Sequence, residues 1–414
     1  MGAVRKGLDG LTQGWLWIGM ILTPILAHAG GLGFQAFAFF LGCGALLVVA
    51  ANLKDAVYLK GLWLPFFLAF TLWAWLAALW SPHEDLRLLD NGLKLFLFAL
   101  ALILMPIVFL RLTGRGRENL GHVFMAGTVL AAGLFLFDVL SGYALSTFVD
   151  PVEVSSNIYV RQGEAERSLG RGLMTYTHLV WPAAILMIVS FKRGWALALT
   201  VLAAFAAAAI FNRLSLIIPT LAATAVFVAL AWYRPRLGIM IAFAFAIASL
   251  VLAPLVGIFA GMLDEAALSK LPLSWEHRVR MWAYVWERIQ ENWLLGNGFD
   301  VSRTYQETFK ARDGRDIVIV SLHPHNIGLQ LWLEAGLVGV CLAAGFLIAA
   351  IKPILNFCAS PARAAAMSGL VIAATLNGAL TIGIWQYWWW GIIALGMCMV
   401  GLIPHEQDRK IPRR

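Results

Sequence analysis

His325 and Asn326 open an apolar segment in the last quarter of the chain, and two glycines follow at fixed spacing, Gly336 and Gly339. An unperturbed imidazole titrates near pH 6.5, so it can accept a proton at neutral pH. Because an α-helix turns by about 100° per residue, a regular helix would carry both glycines within roughly 40° of His325. The pattern therefore predicts an imidazole at the outer end of a helix face, above two positions where a neighbouring helix can pack closely, and it is compatible with either a catalytic or a packing role.

The elements that must carry this pattern are transmembrane helices. The chain has 414 residues, of which 61% are hydrophobic and 13% charged, and it repeats long apolar runs. The hydrocarbon core of a bilayer takes about 20 residues of helix, so we predict an all-α polytopic membrane protein of about twelve transmembrane helices, forming a single membrane domain over 1–414. The candidate helices cover residues 13–30, 32–51, 62–80, 93–111, 120–140, 174–191, 194–212, 214–232, 237–260, 326–350, 364–384 and 388–403.

Basic residues predict the orientation of these helices, because cytoplasmic loops carry an excess of lysine and arginine. With a cytoplasmic N-terminus, every connection on the inner side contains lysine or arginine. The short outer connections hold few basic residues, and two longer outer segments, 141–173 and 261–325, mix both signs. We therefore expect both termini in the cytoplasm. The net charge of +8 follows from this bias and does not indicate nucleic-acid binding.

The longer outer segment, 261–325, contains a periodic row of aromatic and aliphatic residues. Their spacing is that of one helix face, which predicts an amphipathic helix at the outer membrane–water boundary. Two glycines within 294–298 suit a tight reversal after it. Because Pro324 is tolerated in a first helical turn, we place His325 in or near that turn, at the start of the motif-bearing helix 326–350. The periodic residues are Trp275, Val279, Trp282, Trp286, Ile289 and Trp293.

The histidine motif resembles that of a known family. His325-Asn326, nine intervening residues and Gly336-x-x-Gly339 are similar to the signature of the O-antigen ligase and polymerase superfamily, and all four specified positions are filled. The context is similar as well, because the motif follows a long outer loop and opens a late transmembrane helix. Among the members of the superfamily, we expect an O-antigen ligase.

Two further fragments resemble the same family. The segment from Arg278 to Trp282 follows the pattern arginine, apolar, any residue, apolar, tryptophan, and a glycine-x-glycine comes after it. Arg213 lies in a short polar turn between two central helices, similar to the polar-arginine turn of the family. The resemblance covers mostly residues 200–345, whereas the N-terminal half shares only hydropathy.

The resemblance implies the fold and the reaction. Members are GT-C-like glycosyltransferases that move a glycan from an undecaprenyl-diphosphate carrier without a metal ion, so we expect no metal and no cofactor. For this chain it implies a bacterial inner-membrane enzyme whose active site faces the periplasm. The acceptor would be a sugar hydroxyl of lipid A–core, as in lipopolysaccharide biosynthesis. Attack opposite the diphosphate would invert the anomeric centre.

Within that reaction the matched residues receive roles. His325 would accept the proton of the acceptor hydroxyl. Arg213 and Arg278 would bind the diphosphate, because a guanidinium holds two phosphate oxygens and stays protonated. Arg280 lies about 200° from Arg278 on a helix, so we expect a weaker contribution from it. The residues that would support the motif are Asn326, Gly336, Gly339 and Trp282.

Each assignment has a structural alternative. His325 could cap a helix end, Arg213 could reach the membrane interface, and Arg278 could lie on a solvated helix face. Asp138 and Glu334 are ionisable residues inside predicted helices, which makes them functional candidates. Asp138 could instead reach water at the end of its helix. Glu334 lies about 180° from His325 on a regular helix, so it should not touch the imidazole.

A metal site is the weakest of the chemical hypotheses. His323 and His325 are spaced like a pair of ligands. The intervening proline and the absence of a nearby cysteine argue against it.

Other functions remain open at this stage. A polymerase for O-antigen or exopolysaccharide would share the donor and the motif, and a protein O-glycan transferase is a third variant. A secondary transporter or lipid flippase of similar size belongs to another class. It would show paired broken helices, midplane charges and symmetry between its halves, and the sequence shows none of these clearly.

Overall fold

The computed structural model describes residues 2–51, 61–83, 88–110, 112, 114–149, 158–212, 216–312 and 314–404. These ranges form α-helices and one short antiparallel ribbon. The helices are α1 (Gly2–His28), α2 (Phe34–Ala51), α3 (Trp63–Leu76), α4 (Leu88–Leu110), α5 (Gly114–Leu140), α6 (Ala144–Val149), α7 (Ile158–Ser190), α8 (Gly194–Phe211), α9 (Ile217–Tyr233), α10 (Pro235–Val251), α11 (Ala253–Gly261), α12 (Glu265–Leu268), α13 (Leu273–Glu291), α14 (Ile327–Phe357), α15 (Pro361–Leu380) and α16 (Tyr387–Leu402). The strands are β1 (Thr308–Lys310) and β2 (Asp316–Val318).

All twelve predicted transmembrane segments coincide with helices. Within the described ranges, eight helices are long and apolar enough to cross a membrane, and α10 with α11 makes a ninth span that bends by 52°. The three remaining segments are shorter apolar helices, α2, α9 and α16. The predicted fold class, an all-α polytopic membrane protein, is confirmed.

The centre of the bundle is built from α7 and α15. The buried face of α15 consists largely of alanine and glycine, which lets α7, α9 and α10 approach its backbone closely. Ser360 caps the helix by accepting a hydrogen bond from Arg363 N–H at 3.3 Å, and Pro361 occupies the first helical position. These signals start α15 sharply after the turn from α14.

The predicted outer segment 141–173 is helical over much of its length. It contains α6, and α7 begins at Ile158, sixteen residues before the predicted start of the span. The sequence signal was hydropathy, which detects only the apolar part of a helix. The first turns of α7 are polar, so hydropathy does not distinguish them from a loop.

The second outer segment folds over the ends of α11 and α14. The predicted amphipathic helix is present as α13, and its buried face packs against both of these helices. Trp282 and Ile289 lie in this interface together with Met281 and Val285. Trp293 lies beyond the helix end and is 54% exposed. The face that we expected at the membrane boundary therefore forms a small core of its own.

Candidate active site

His325 lies in a short loop that precedes the motif helix. It has a positive φ of 54°, and α14 begins only at Ile327. His325 therefore lies near the first helical turn, as predicted, but outside the helix itself. Asn326 is the N-cap instead, because its Oδ1 accepts a hydrogen bond from Leu329 N–H at 3.0 Å. A capping amide satisfies a free N–H of the first turn, which fixes the start of the helix just after the histidine.

One hydrogen bond fixes the ring of His325. Its Nδ1 lies 2.9 Å from the carbonyl oxygen of Thr381. A carbonyl can only accept, so Nδ1 carries the hydrogen and Nε2 of the neutral ring keeps its lone pair. Burial lowers the pKa of His325, the bond to Thr381 raises it, and the neighbouring Arg278 and His277 lower it. His325 is thus neutral at pH 7, and its Nε2 can accept a hydrogen bond or a proton.

His323 supports the same loop. Its ring centroid lies 4.4 Å from that of His325, and its Nδ1 accepts a hydrogen bond from His325 N–H at 3.2 Å. The side-chain amide of Gln386 lies 3.1 Å from His323 Nε2. Burial, with smaller contributions from His325 and Arg303, lowers the pKa of His323 to about 3. In the described part of the chain, no three His, Cys, Asp or Glu residues are grouped to hold a metal ion.

The amphipathic helix α13 connects this loop to an arginine. Trp282 is buried, and its Nε1 donates a hydrogen bond to Pro324 O at 2.9 Å. Arg278 lies one turn earlier on α13, with its guanidinium 5.5 Å from the ring centre of Trp275. Its Nη1 donates to Ser274 O, whereas its buried Nε has no partner. Within the described ranges Arg278 forms no salt bridge, so its charge is available to an anion.

Arg280 has a different environment. It donates two hydrogen bonds to Glu265, at 2.6 and 2.9 Å, and two more to Glu276. Arg312 also bonds Glu276, and the guanidinium of Arg280 lies over the ring of Phe309. These contacts tie α12, α13 and the β ribbon together. The charge of Arg280 is therefore compensated, in line with its lower rank as a diphosphate ligand.

Arg213 lies outside the described residues. Its neighbour Asn212 is described and buried. Asn212 accepts a hydrogen bond from Tyr143 Oη at 3.3 Å and donates one to Glu166 O at 3.3 Å. These bonds link α8 to the outer ends of α5 and α7. The role of Arg213 stays a prediction.

Gly336 interrupts the motif helix. Its φ of 62° and ψ of −168° break α14 one turn after Leu333. The segment 293–298 replaces the lost helical bonds: Asn297 N–H donates to Leu333 O at 2.7 Å, and Leu337 N–H donates to Trp293 O at 2.9 Å. Two further backbone bonds of the same kind satisfy the neighbouring groups.

This docking explains the glycines of both motif fragments. A Cβ on Gly336 would overlap Gly296 N and Leu294 O, and a Cβ on Gly296 would overlap the backbone of Glu334 and Ala335. The helix and the glycine-x-glycine turn meet backbone to backbone, which only residues without a side chain allow.

The expected stripe of His325, Gly336 and Gly339 on one helix face is wrong. His325 precedes the helix and Gly336 has non-helical angles, so the calculation for a regular helix does not apply. Gly339 does serve packing, because a Cβ there would lie 3.4 Å from Trp73 Cδ1 of α3 and would overlap Ala335. The sequence carried no sign of the interruption beyond the glycine itself.

Glu334 forms no hydrogen bond to His325, as predicted, although the angular argument does not apply to a residue that precedes the helix. It is fully buried, and its carboxylate accepts hydrogen bonds from four groups. Asp138 is fully buried too, contrary to the suggestion that it reaches water. It accepts hydrogen bonds from Ser146 and pairs with His28 at 2.9 Å.

Sequence reasoning missed the contribution of the connection between α15 and α16. Thr381 holds the ring of His325, and Gln386 contacts His323. Ser302, from the outer segment, bonds Glu334. This region contains an aromatic run, 385–390, but no spacing in the sequence relates it to a histidine sixty residues earlier.

An apolar cavity of about 510 Å³ lies among α3, α4, α10, α14, α15 and α16. Ile327 and Thr375 line it close to the histidine loop, and Arg117 and Gly401 line its far end. Most of the other lining side chains are aliphatic or aromatic. A cavity of this size and composition suits a small apolar ligand or a hydrocarbon chain.

The fold and the site define a multi-pass membrane protein with a buried histidine loop between the segment 261–325 and a membrane helix. Residues 178–344 match the family model described as O-antigen ligase. This region contains α13, the glycine-x-glycine turn and the whole histidine motif. The resemblance to the O-antigen ligase family is therefore confirmed.

Curated relatives extend the similarity along the chain. A "Putative polysaccharide ligase" of Rickettsia felis is 27% identical over 402 residues, which cover 89% of this chain and 92% of the relative. A protein of the same name from Rickettsia bellii is 27% identical over 66% of this chain and 65% of its own length. A third, from Rickettsia prowazekii, is 34% identical over 31% of this chain and 32% of the relative.

Proposed function

We propose that the protein is an O-antigen ligase that transfers a polysaccharide from undecaprenyl diphosphate to a sugar hydroxyl of lipid A–core. The observation that carries the proposal is a neutral His325, with Nε2 free, on a loop bound to the same helix face as an arginine without an acidic partner. The similarity to polysaccharide ligases supports the same class of reaction.

The proposed reaction is a single displacement. The acceptor hydroxyl oxygen attacks the anomeric carbon of the donor and gives its proton to His325 Nε2. The bond from that carbon to the phosphate oxygen breaks, and its electron pair leaves with the diphosphate. Arg278 and Arg213 bind the diphosphate as its negative charge grows, so the mechanism needs no metal ion. Attack from the opposite face inverts the anomeric centre.

The proposed location is the bacterial inner membrane, with both termini cytoplasmic and His325 facing the periplasm. The distribution of lysine and arginine supports this orientation. The apolar cavity beside Ile327 supports a substrate that carries a hydrocarbon chain. A donor whose energy is stored in its diphosphate suits a compartment without nucleotide sugars.

Purified protein in lipid vesicles gives the direct test. Incubation with a lipid-diphosphate-linked polysaccharide and lipid A–core should yield polysaccharide-bearing lipid A–core and free carrier diphosphate. Failure to form this product, with folded protein and both substrates present, would refute the ligase reaction. Elongation of the carrier-linked chain instead would identify a polymerase.

Deletion of the gene separates the same two functions in cells. Loss of attached surface polysaccharide, with long carrier-linked chains persisting, supports the ligase. Products with a single repeat support the polymerase. A transporter is a weaker alternative, because the two interrupted spans, at Leu252 and Gly336, neighbour each other beside the outer segment and do not occupy corresponding positions in two halves.

A further inference from the structure

We propose that Glu334 is a positioning residue that fixes the connection between α15 and α16 and thereby holds His325 in the orientation required of a base. The chemical consequence rests on the proposed function, whereas the positioning itself does not. Glu334 lies on the motif helix but forms no hydrogen bond to His325, so its effect must pass through other groups.

The carboxylate of Glu334 is saturated by donors from three parts of the chain. Oε1 accepts from Ser302 Oγ at 2.5 Å and from Gln330 Nε2 at 3.1 Å. Oε2 accepts from Asp300 N–H at 2.7 Å and from Trp385 Nε1 at 2.5 Å. Four donors directed at two oxygens match a carboxylate, which only accepts. The outer segment, α14 and the α15–α16 connection are thus joined at one group.

A second bond attaches the same connection to α14. Gln330 Oε1 accepts a hydrogen bond from Ile384 N–H at 2.9 Å, while the Nε2 of the same amide donates to Glu334. Ile384 and Trp385 are therefore both anchored, one through Gln330 and one directly. Thr381, three residues before Ile384, is the residue whose carbonyl accepts the hydrogen of His325 Nδ1.

The side chains that form this network are buried, so each of their hydrogen bonds contributes to the structure. Glu334 and Ser302 are fully buried, and Gln330 is 2% exposed. A donor left without a partner in such a place cannot turn to water, so loss of the carboxylate displaces the connection or leaves its amides unsatisfied.

The consequence for His325 follows from its bond to Thr381. That bond selects the form with the hydrogen on Nδ1 and the lone pair on Nε2. The charged and titratable groups that face the ring are Arg278 and His277 of α13 and His323 of the loop. Burial lowers the pKa of His325 and the Thr381 carbonyl raises it. Displacement of Thr381 therefore lowers this pKa further and frees the ring to change tautomer.

Glu334→Gln removes the charge with little change in shape. Asp300 N–H and Trp385 Nε1 can only donate, so the new amide must present its oxygen to them and its NH₂ to Gln330. Gln330 can accept that bond only by turning its own oxygen away from Ile384 N–H. The single substitution therefore removes the acceptor of Ile384 N–H, the anchor nearest to Thr381, even if the fold survives and Trp385 stays bonded.

The double variant Q330E/E334Q exchanges the two side-chain types and restores acceptors to both positions. The carboxylate at 330 can accept from Ile384 N–H and from the new amide, so we expect rescue. Asp138→Asn is the matched control, because Asp138 is also a fully buried, multiply bonded carboxylate in a membrane helix.

The first measurement is nitrogen NMR of ¹⁵N-histidine-labelled protein in nanodiscs, with the His325 signals assigned through His325→Gln. We expect a protonated Nδ1 and a bare Nε2 in the unmodified protein, mixed tautomers in E334Q, and the original pattern in Q330E/E334Q and D138N. An unchanged His325 signal in E334Q would overturn the positioning role. This measurement needs no substrate, so its outcome does not depend on whether the protein transfers a glycan.

The second measurement is the pH profile of transfer. We expect E334Q to lower kcat by about 10- to 100-fold with little change in KM, as for a misplaced catalytic group, and to move the acid limb to lower pH. The double variant should recover both the kcat and the position of the acid limb of the pH profile. D138N should keep the acid limb of the unmodified protein. A uniform loss of activity in E334Q without a shift of the limb would show a merely structural role.

Discussion

Two buried carboxylates, one in each half of the molecule, form hydrogen bonds with different parts of the chain. Asp138 accepts hydrogen bonds from Leu145 N–H and Ser146 Oγ, within eight residues of itself, and pairs with His28 of α1. Glu334 bonds Ser302 and Trp385, which are more than thirty and fifty residues away. Both side chains are fully buried and both sit in membrane helices.

The difference shows that a buried carboxylate can have different structural roles. The Asp138 group closes the turn after α5 and joins it to α1, so it stabilises the packing of two helices. The Glu334 group joins the outer segment, the motif helix and the connection that holds the candidate base. An ionisable residue inside a membrane helix indicates importance, but the elements to which its partners belong indicate what it is important for.

The largest expected difference is in the turnover of glycan transfer, between variants of His325 and His28, the histidines of the two regions. His325→Ala should lower the turnover of glycan transfer by about 10²- to 10⁴-fold, the usual contribution of a general base. His28→Ala should lower stability but leave the turnover of folded protein nearly unchanged, because His28 pairs with Asp138 and stacks on Phe135, both outside the histidine loop. Initial rates normalised to monodisperse protein test this. Normal transfer by His325→Ala would refute its role.

A glycine comparison tests the docking at the helix break. Gly336→Ala should destabilise the protein by several kcal/mol, since it adds a Cβ overlap with Gly296 and Leu294 to an unfavourable backbone conformation. Gly133→Ala in α5 is the control, because a Cβ there has nothing within 4 Å. It should be neutral or stabilise by about 0.5–1 kcal/mol. Thermal unfolding of both variants in detergent decides, and equal melting temperatures would contradict the docking.

The two arginines of α13 should respond differently to the same exchange. Arg278→Lys should lower kcat/KM by about 10- to 100-fold, the cost of one or more charge-assisted hydrogen bonds. Arg280→Lys keeps its charge beside Glu265 and Glu276, so we expect little change in transfer. Steady-state kinetics with varied lipid-diphosphate donor provide the comparison. A larger loss in Arg280→Lys would reverse the assignment.

The smallest expected effect is a shift with pH. His325 must be neutral to act, and its pKa is lowered from 6.5 chiefly by burial. Transfer should therefore persist below pH 6.5 and fall only as the pH passes through this lowered pKa. Arg278→Gln removes a charge that lowers the pKa, so the acid limb should move to higher pH while the rate falls. A limb that stays in place would show that Arg278 lies electrostatically apart from His325.

The free energy of unfolding should also depend on pH, through His323. The pKa of His323 is lowered to about 3 in the folded protein, so His323 takes up a proton on unfolding below pH 6.5. Its neutral burial contributes stability that is complete above pH 6.5 and is lost progressively as the pH falls toward 3. His323→Gln should reduce this dependence in thermal unfolding measured across that range.

Much of the fold could be predicted because each membrane helix can be recognised from its own apolar residues. Twenty apolar residues have few alternatives to a helix in a bilayer, and all twelve predicted segments are helical. The errors came where that signal is absent or interrupted. The start of α7 is polar and so looked like a loop, and the break at Gly336 lies inside an apolar run that gives no sign of it.

For the candidate site, the residue types can be read from the chain alone: a histidine next to a capping asparagine, glycines at fixed spacing, and an arginine one turn before a tryptophan. Their geometry depends on the folded molecule. The tertiary structure placed His325 before the helix, docked the glycine-x-glycine turn into the gap at Gly336, and brought Thr381 to the imidazole. The physical reason is that these contacts join backbone groups and single side chains from distant segments, and such pairing leaves no periodicity in a sequence.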